Sequence, residues 1–127
     1  MASILVIEDD PLIRQSLVKV LRREGHEVRD AAHGVAGVKS FRAQPAELVI
    51  TDLVMPEQEG LATIMELRQI DPGLRIIAIS GGMANDPKLY LQLAEKLGAN
   101  RVLGKPFLAP ELLAVVTAVL AQPRPPA

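Results

Sequence analysis

The sequence predicts an α/β fold in which a parallel sheet is covered by helices on both faces. Short apolar runs alternate with amphipathic segments along the chain. A strand buried on both faces reads as a continuous apolar run, and its parallel neighbour is reached through a crossover connection, usually a helix. The chain has 127 residues, 49% of them hydrophobic, which suits one domain with one well-filled core.

Five apolar segments are predicted to be strands. They are short and lie between helical segments or turn signals. In chain order they are Ser3–Ile7, His26–Ala31, Glu47–Thr51, Leu74–Ile79 and Arg101–Leu103. The sequence Asp71-Pro72-Gly73 is a turn signal directly before the fourth strand.

Five amphipathic segments are predicted to be helices, because their apolar residues recur at helical spacing. In chain order they are Pro11–Glu24, Val35–Ala43, Leu61–Ile70, Pro87–Leu97 and Pro110–Ala121. Asp10 is the predicted N-cap of the first helix, while Gly25 and Gly98 are placed to end the first and fourth. The last helix carries more apolar residues than one buried stripe needs, namely Leu112, Leu113, Val115, Val116, Val119 and Leu120.

Composition excludes several classes of protein. A net charge of −1 gives no general attraction to nucleic acid or to anionic lipid, so we expect no direct nucleic-acid binding. The absence of cysteine excludes disulfides and thiolate metal sites, as suits a reducing cytoplasm. No apolar run approaches the roughly 18 residues of a membrane span, and the opening MASILVIEDD turns acidic too early for a signal peptide. We therefore expect a cytoplasmic protein.

Chemically capable side chains follow the predicted strands. In sheets of this kind, ligands bind beyond the carboxyl ends of the strands. Glu8 and Asp9 follow the first strand, Asp52 the third, Ser80 the fourth and Lys105 the fifth. These five residues are therefore expected to meet at one edge of the sheet.

The acids predict a site for a hard divalent cation. Glu8 and Asp9 beside Asp52 would raise the electrostatic energy unless a cation lay among them. Mg²⁺ or Mn²⁺ suits an open set of carboxylates that leaves room for water and phosphate oxygens. A solvated acidic loop is the alternative interpretation of Glu8 and Asp9.

Asp52 and Lys105 predict phosphoryl transfer. A carboxylate fixed at a strand end can act as a nucleophile toward phosphorus. Such transfer needs positioning and charge neutralisation, which a metal and a lysine supply. The hydroxyl of Ser80 would donate to a phosphoryl oxygen, and Gly81 and Gly82 would let the backbone approach closely.

The segments ILVIEDD, TDLVMPEQEG, IIAISGG and GKPF, in this order, resemble the receiver domains of two-component response regulators. The resemblance covers Ser3 to about Leu120. It implies a flavodoxin-like sheet of order 2-1-3-4-5, a receiver domain over residues 1–121, and a proline-rich tail or start of a linker over 122–127. It also implies that the chain is a phosphoacceptor that hydrolyses its own phosphate slowly, and not a true enzyme.

The resemblance assigns roles residue by residue. Asp52 would accept the phosphoryl group from a histidine kinase or a histidine phosphotransfer protein. Asp9, Asp52 and the carbonyl of Val54 would bind Mg²⁺, with Glu8 acting mainly through water. Lys105, Ser80 and Gly81 would bind the phosphoryl group.

Val102 departs from the family pattern. Family members often have an aromatic ring three residues before the lysine, and this ring moves inward together with the hydroxyl residue. Ser80 and Val102 are thus the expected switch positions, but Val102 cannot report the switch by ring burial. We expect the signal to leave through the helix Pro87–Leu97, the fifth strand and the last helix, which would meet a partner or form a homodimer.

Three other classes of function are considered. A haloacid-dehalogenase-type hydrolase would usually carry a second aspartate two residues after the nucleophile, where this chain has Val54. A metal-free interaction module would lack part of the set Glu8, Asp9, Asp52, Ser80 and Lys105, and nucleotide binding is disfavoured because no GxxxxGK[ST] loop is present. The output is either that of a stand-alone regulator or that of a longer chain containing this domain.

Overall fold

A computed structural model describes residues 2–53, 59–80, 92, 96 and 98–123. Five strands form one parallel sheet of order β2-β1-β3-β4-β5. The strands are β1 (Ser3–Ile7), β2 (Glu27–Ala31), β3 (Leu48–Asp52), β4 (Arg75–Ser80) and β5 (Arg101–Gly104). The predicted fold class and strand order are therefore confirmed.

Four helices are assigned within the described residues. They are α1 (Pro11–Arg23), α2 (Gly34–Ala43), α3 (Glu59–Ile70) and α4 (Ala109–Ala121). The fifth predicted helix, Pro87–Leu97, lies outside the described residues except for Gln92 and Lys96, which are helical. No described helix has both the length and the apolar character that a membrane crossing requires.

Capping residues set the limits of α1 as expected. The Asp10 carboxylate accepts hydrogen bonds from the backbone N–H groups of Leu12 and Ile13, at 2.9 and 3.3 Å. Gly25 follows the helix with a φ of 89°, a left-handed conformation that costs glycine little. The prediction ran one residue too far, because Glu24 is the C-cap and not a helical residue.

Three predicted strands, those of β3, β4 and β5, ended one residue too early. Asp52 belongs to β3 and Ser80 to β4 because pairing with neighbouring strands continues to these positions. The Leu53 N–H donates to the Ile79 carbonyl, and the Lys105 N–H donates to the Ser80 carbonyl, both at 2.8 Å. Asp52 and Ser80 are therefore held within the sheet and not in a loop after it.

The sheet divides the core into two layers. The side chains of Val6, Ile50 and Leu103 lie in the layer that also contains buried residues of α1 and α4. Successive side chains of a strand point to opposite faces, so Ile7 and Ala78 belong to the other layer, with buried residues of α2 and α3. All six apolar residues predicted on the last helix contact the first layer, and Leu112, Val116 and Val119 are fully buried there.

One edge of the sheet is formed by β2, which among the described residues pairs with β1 alone. The Glu27 N–H and the Ala31 carbonyl both bond toward β1. Successive residues of a strand direct their backbone groups to opposite sides, so the carbonyl of Val28 points away from β1. Arg22 covers it by donating from Nη2 at 2.9 Å.

Arg68 of α3 joins the chain segments that precede β4 and β5, at the amino-terminal ends of these strands. Its guanidinium donates to the carbonyls of Pro72, Leu74 and Gly98 and to the Asn100 side chain. Burial lowers the pKa of Arg68, although nearby Asp71 opposes the shift. These hydrogen bonds of Arg68 lie at the amino-terminal edge of the sheet, away from the predicted site at the carboxyl edge.

Candidate functional site

The site is built on one face of the sheet. Glu8 comes two residues after Val6, Asp52 two residues after Ile50, and Lys105 two residues after Leu103. Side chains two residues apart on a strand share a face, and backbone pairing continues one residue past β1 and β5, to Glu8 and Lys105. The three polar residues therefore extend the first core layer. On this face of the sheet, the buried apolar side chains of three strands are thus followed by a cluster of charged side chains at the carboxyl edge.

Lys105 joins the two buried carboxylates. Its Nζ lies 2.9 Å from Glu8 Oε1 and 2.8 Å from Asp52 Oδ2. Both acids are almost completely buried, while the lysine side chain is 21% exposed. Residues 8, 52 and 105, far apart in sequence, are therefore brought into direct contact.

Asp9 adds a third carboxylate. Oxygen atoms of Glu8, Asp9 and Asp52 lie within 4.8 Å of one another, with Asp9 exposed and the other two buried. Three carboxylates face one ammonium group, so the cluster is negative when its acids are ionised. Clustered carboxylate oxygens with one open side are the ligand chemistry that Mg²⁺ accepts, and these residues therefore fit such an ion.

Burial and ion pairing act oppositely on the charges. Burial raises the pKa of Glu8 to about 7, although the hydrogen bonds from Lys105 and from the Asp10 backbone pull it down. For Lys105, burial lowers the pKa, but its contacts with Asp52 and Glu8 outweigh burial and raise it overall. The lysine therefore stays charged, while Glu8 exchanges its proton near neutral pH.

Backbone contacts shape the acidic loop after β1. The Glu8 N–H donates to the Ala31 carbonyl at 3.1 Å, and the Asp10 N–H donates to Glu8 Oε2 at 3.1 Å. Arg14 of α1 donates from Nη1 to the Glu8 carbonyl at 2.9 Å. Arg14 is not among the residues predicted from the sequence: its position one turn into the helix that follows the acids places it near them but does not specify which carbonyl it reaches.

A glycine lets α3 approach the phosphoacceptor candidate. A Cβ atom on Gly60 would lie 2.5 Å from the Asp52 carbonyl oxygen and 2.8 Å from the Leu53 Cα. Real Cβ atoms essentially never approach that closely, so Gly60 permits the contact between α3 and the end of β3. This contact is not predicted from the sequence, in which Gly60 is only part of a loop signal.

The remaining predicted residues divide into two groups. Ser80 is completely buried, and its Oγ has no hydrogen-bond partner among the described residues. Val102 is half-buried and packs against the second core layer. Val54, Gly81 and Gly82 lie outside the described residues, so the predicted roles of the Val54 carbonyl and the Gly81 backbone stay predictions.

A family model described as the response regulator receiver domain matches residues 4–117. The chain belongs to this family. Receiver domains act as phosphoacceptors in two-component signalling and not as metabolic enzymes, which agrees with the resemblance noted in the sequence and disfavours the hydrolase alternative. The acidic pocket with Lys105 is thus found in a receiver domain.

Two relatives and one solved structure resemble this receiver domain. The DNA-binding transcriptional regulator NtrC of Azospirillum brasilense is 39% identical over 126 residues, 99% of this chain but 26% of that protein. The response regulator receiver protein CpdR of Brucella abortus is 34% identical over 84% of this chain and 87% of its own length. A response regulator receiver domain protein from Clostridium thermocellum has a TM-score of 0.82 and 31% identity, covering 94% of each chain.

The chain therefore spans about a quarter of the NtrC relative and most of CpdR. Relatives of both lengths carry the same domain.

Proposed function

We propose that Asp52 accepts a phosphoryl group from a phosphohistidine on a histidine kinase or a histidine phosphotransfer protein, in a Mg²⁺-dependent phosphorelay. The observation that carries this proposal is the contact of Lys105 with both Asp52 and Glu8, beside the exposed Asp9. It combines a fixed carboxylate, a fixed cation and a cation-binding acid cluster, which are the parts that phosphoryl transfer requires.

The transfer exchanges one bond to phosphorus for another. An Asp52 carboxylate oxygen forms a bond to phosphorus as the bond from phosphorus to the imidazole nitrogen of the donor breaks, and the electron pair leaves with the imidazole. A bound Mg²⁺, held by Asp9, Asp52 and the Val54 carbonyl with Glu8 acting through water, would neutralise charge on the phosphoryl oxygens. Lys105 keeps its place beside Asp52 and pairs with the transferred group.

Ser80 supplies the response to phosphorylation. Its buried hydroxyl, without a partner among the described residues, gains an acceptor when a phosphoryl oxygen comes within reach. Movement of Ser80, and of the adjoining Gly81, toward Asp52 would displace the neighbouring segment and Val102. The change would alter the face formed by β5 and α4, where a partner or a second copy binds.

A protein donor suits the surface beside the site. A groove of about 500 Å³ between α1 and α4 is lined by Lys105 at one end and by apolar residues that include Phe107 and Leu112. Leu12 and Leu108 beside it are 77% and 69% exposed. Apolar surface of this kind favours contact with a macromolecule over contact with a small phosphate ester.

Slow self-hydrolysis follows from the missing acid. The residue two positions after Asp52 is Val54, which has no proton to transfer to or from an attacking water. The acyl phosphate therefore persists long enough to act as a signal.

The test is phosphorylation by phosphoramidate or acetyl phosphate with Mg²⁺, read by intact mass. We expect a gain of one phosphoryl group on the parent chain and on Asp71→Asn, a control at the opposite edge of the sheet. We expect no gain on Asp52→Asn or without Mg²⁺. A phosphorylated Asp52→Asn chain would show that another residue is the acceptor.

A further inference from the structure

Arg14 connects α1 to the acidic loop. Its Nη1 donates to the Glu8 carbonyl at 2.9 Å, while its Nε lies 3.2 Å from Asp30 Oδ2 at the end of β2. The Arg14 side chain is 19% exposed and that of Asp30 is 46% exposed. One guanidinium is therefore held by both an acid on the edge strand and the backbone between the two site acids.

The carbonyl that Arg14 holds belongs to the peptide unit between Glu8 and Asp9. A peptide unit is planar, so fixing its oxygen also fixes the direction in which the chain enters Asp9. The preceding N–H of Glu8 is already fixed by the Ala31 carbonyl. With Arg14 bonded to the Glu8 carbonyl, the backbone is fixed on both sides of Glu8. The direction in which the Asp9 carboxylate projects toward Asp52 is thereby set.

If only charge mattered, Arg14 would weaken the binding of a cation at the acid cluster. A guanidinium close to a cluster of three carboxylates repels a divalent cation, so its removal should tighten metal binding if only Coulomb's law mattered. Asp30 offsets part of this charge by pairing with Arg14. An electrostatic role and a positioning role therefore predict opposite effects of removing Arg14.

We propose that Arg14 is a positioning residue of the metal site, which keeps the Asp9 carboxylate beside Asp52, and that Asp30 orients Arg14 for this task. The inference rests on the proposed function because it concerns the same acid cluster. Residues that orient metal ligands typically contribute about 10- to 100-fold to metal affinity.

The experiment measures Mg²⁺ affinity by calorimetry for the parent, Arg14→Met, Arg14→Lys, Asp30→Asn and the Arg14→Met/Asp30→Asn pair. We expect Arg14→Met to weaken binding roughly tenfold, the lower end of such effects. Arg14→Lys keeps the charge but has a single ammonium in place of two separated donors, so it should also bind more weakly than the parent. Asp30→Asn should weaken binding in the parent and change nothing further in Arg14→Met, as expected of residues that act as a unit.

A metal-free measurement separates loop geometry from folding. In EDTA, amide hydrogen exchange of Asp10, whose N–H bonds Glu8 Oε2, should accelerate in Arg14→Met. Exchange of Val49 in the core of β3 should stay at the parent rate, which would exclude a general loss of stability.

Three outcomes are distinguishable. Weaker Mg²⁺ binding with faster Asp10 exchange supports the proposal. Equal or tighter binding in Arg14→Met, with the parent binding Mg²⁺, overturns the role of Arg14 and leaves the proposed function intact. Absence of Mg²⁺ binding in the parent overturns both.

Discussion

Lys105 Nζ and Asp52 Oδ2 lie 2.8 Å apart at the carboxyl edge of the sheet, although 53 positions separate the two residues in the chain. The same ammonium group reaches Glu8 Oε1 at 2.9 Å. Lys105 is thus a structural partner of two buried acids before it meets any phosphoryl group.

Loss of Lys105 should therefore destabilise the fold. Lys105→Met leaves two buried carboxylates without their cation, and removing one partner of a buried ion pair costs about 3–5 kcal/mol. We expect the lower end, because the lysine is partly exposed. Urea unfolding at pH 8 in EDTA measures the loss, with exposed Lys19→Met as the control, for which a change within about 0.5 kcal/mol is expected. A stability equal to that of the parent would contradict the prediction.

The pH dependence of the free energy of unfolding should reflect the titration of Glu8. Its pKa is about 7 in the folded protein and 4.5 for an unperturbed glutamate, so the folded state binds the extra proton between these values. Stability without metal should therefore fall as pH rises from 4.5 through 7, the opposite of an acid whose pKa is lowered by folding. Glu8→Gln should flatten that slope in melts from pH 5 to 8. An unchanged slope would assign the proton to another group.

Mg²⁺ should raise the melting temperature of the parent chain. A bound ion would relieve repulsion among Glu8, Asp9 and Asp52 in the folded protein, contributing about 2.7 kcal/mol at 100 times its dissociation constant. The shift should vanish in an Asp9→Ala/Asp52→Ala double variant. An equal shift in that variant would show that the ion binds outside this cluster.

Gly60→Ala should disturb Asp52 from the side of the backbone. The added Cβ would meet the Asp52 carbonyl oxygen at 2.5 Å, so α3 or the end of β3 must move. Overpacking of this kind typically costs about 1–3 kcal/mol, and phosphorylation of Asp52 should slow as its carboxylate is displaced. Gly25→Ala is the matched control, because its strain lies in a turn with open space around it. Normal phosphorylation of Gly60→Ala would show that the two segments separate freely.

Local signals predicted much of this architecture. Asp10 caps α1 as its position before Pro11 indicated, and Gly25 has the positive φ expected of a residue that ends a helix. The apolar strand runs together with the family motif predicted the site edge. These features depend on residues close in sequence or on the two-residue period of strands.

Contacts between distant segments were less accessible. The inclusion of Asp52 in β3 depends on a hydrogen bond from Leu53 to β4, and the part played by Arg14 depends on the carbonyl of Glu8 and the acid of Asp30. No local pattern specifies which carbonyl a long side chain will reach. The ion pair of Lys105 with Glu8 was missed for the same reason, since only Asp52 had been considered as its neighbour.

The bond from Arg22 to the outward carbonyl of Val28 also affects how copies of this chain coexist at high concentration. An uncovered edge strand offers hydrogen-bonding groups to any other strand, and this is how many sheet proteins aggregate. Here one such acceptor is already occupied, and the occupying group carries a positive charge that an incoming copy would have to displace. Arg22→Ala would therefore favour fibre formation by the folded chain, a liability separate from any loss of signalling.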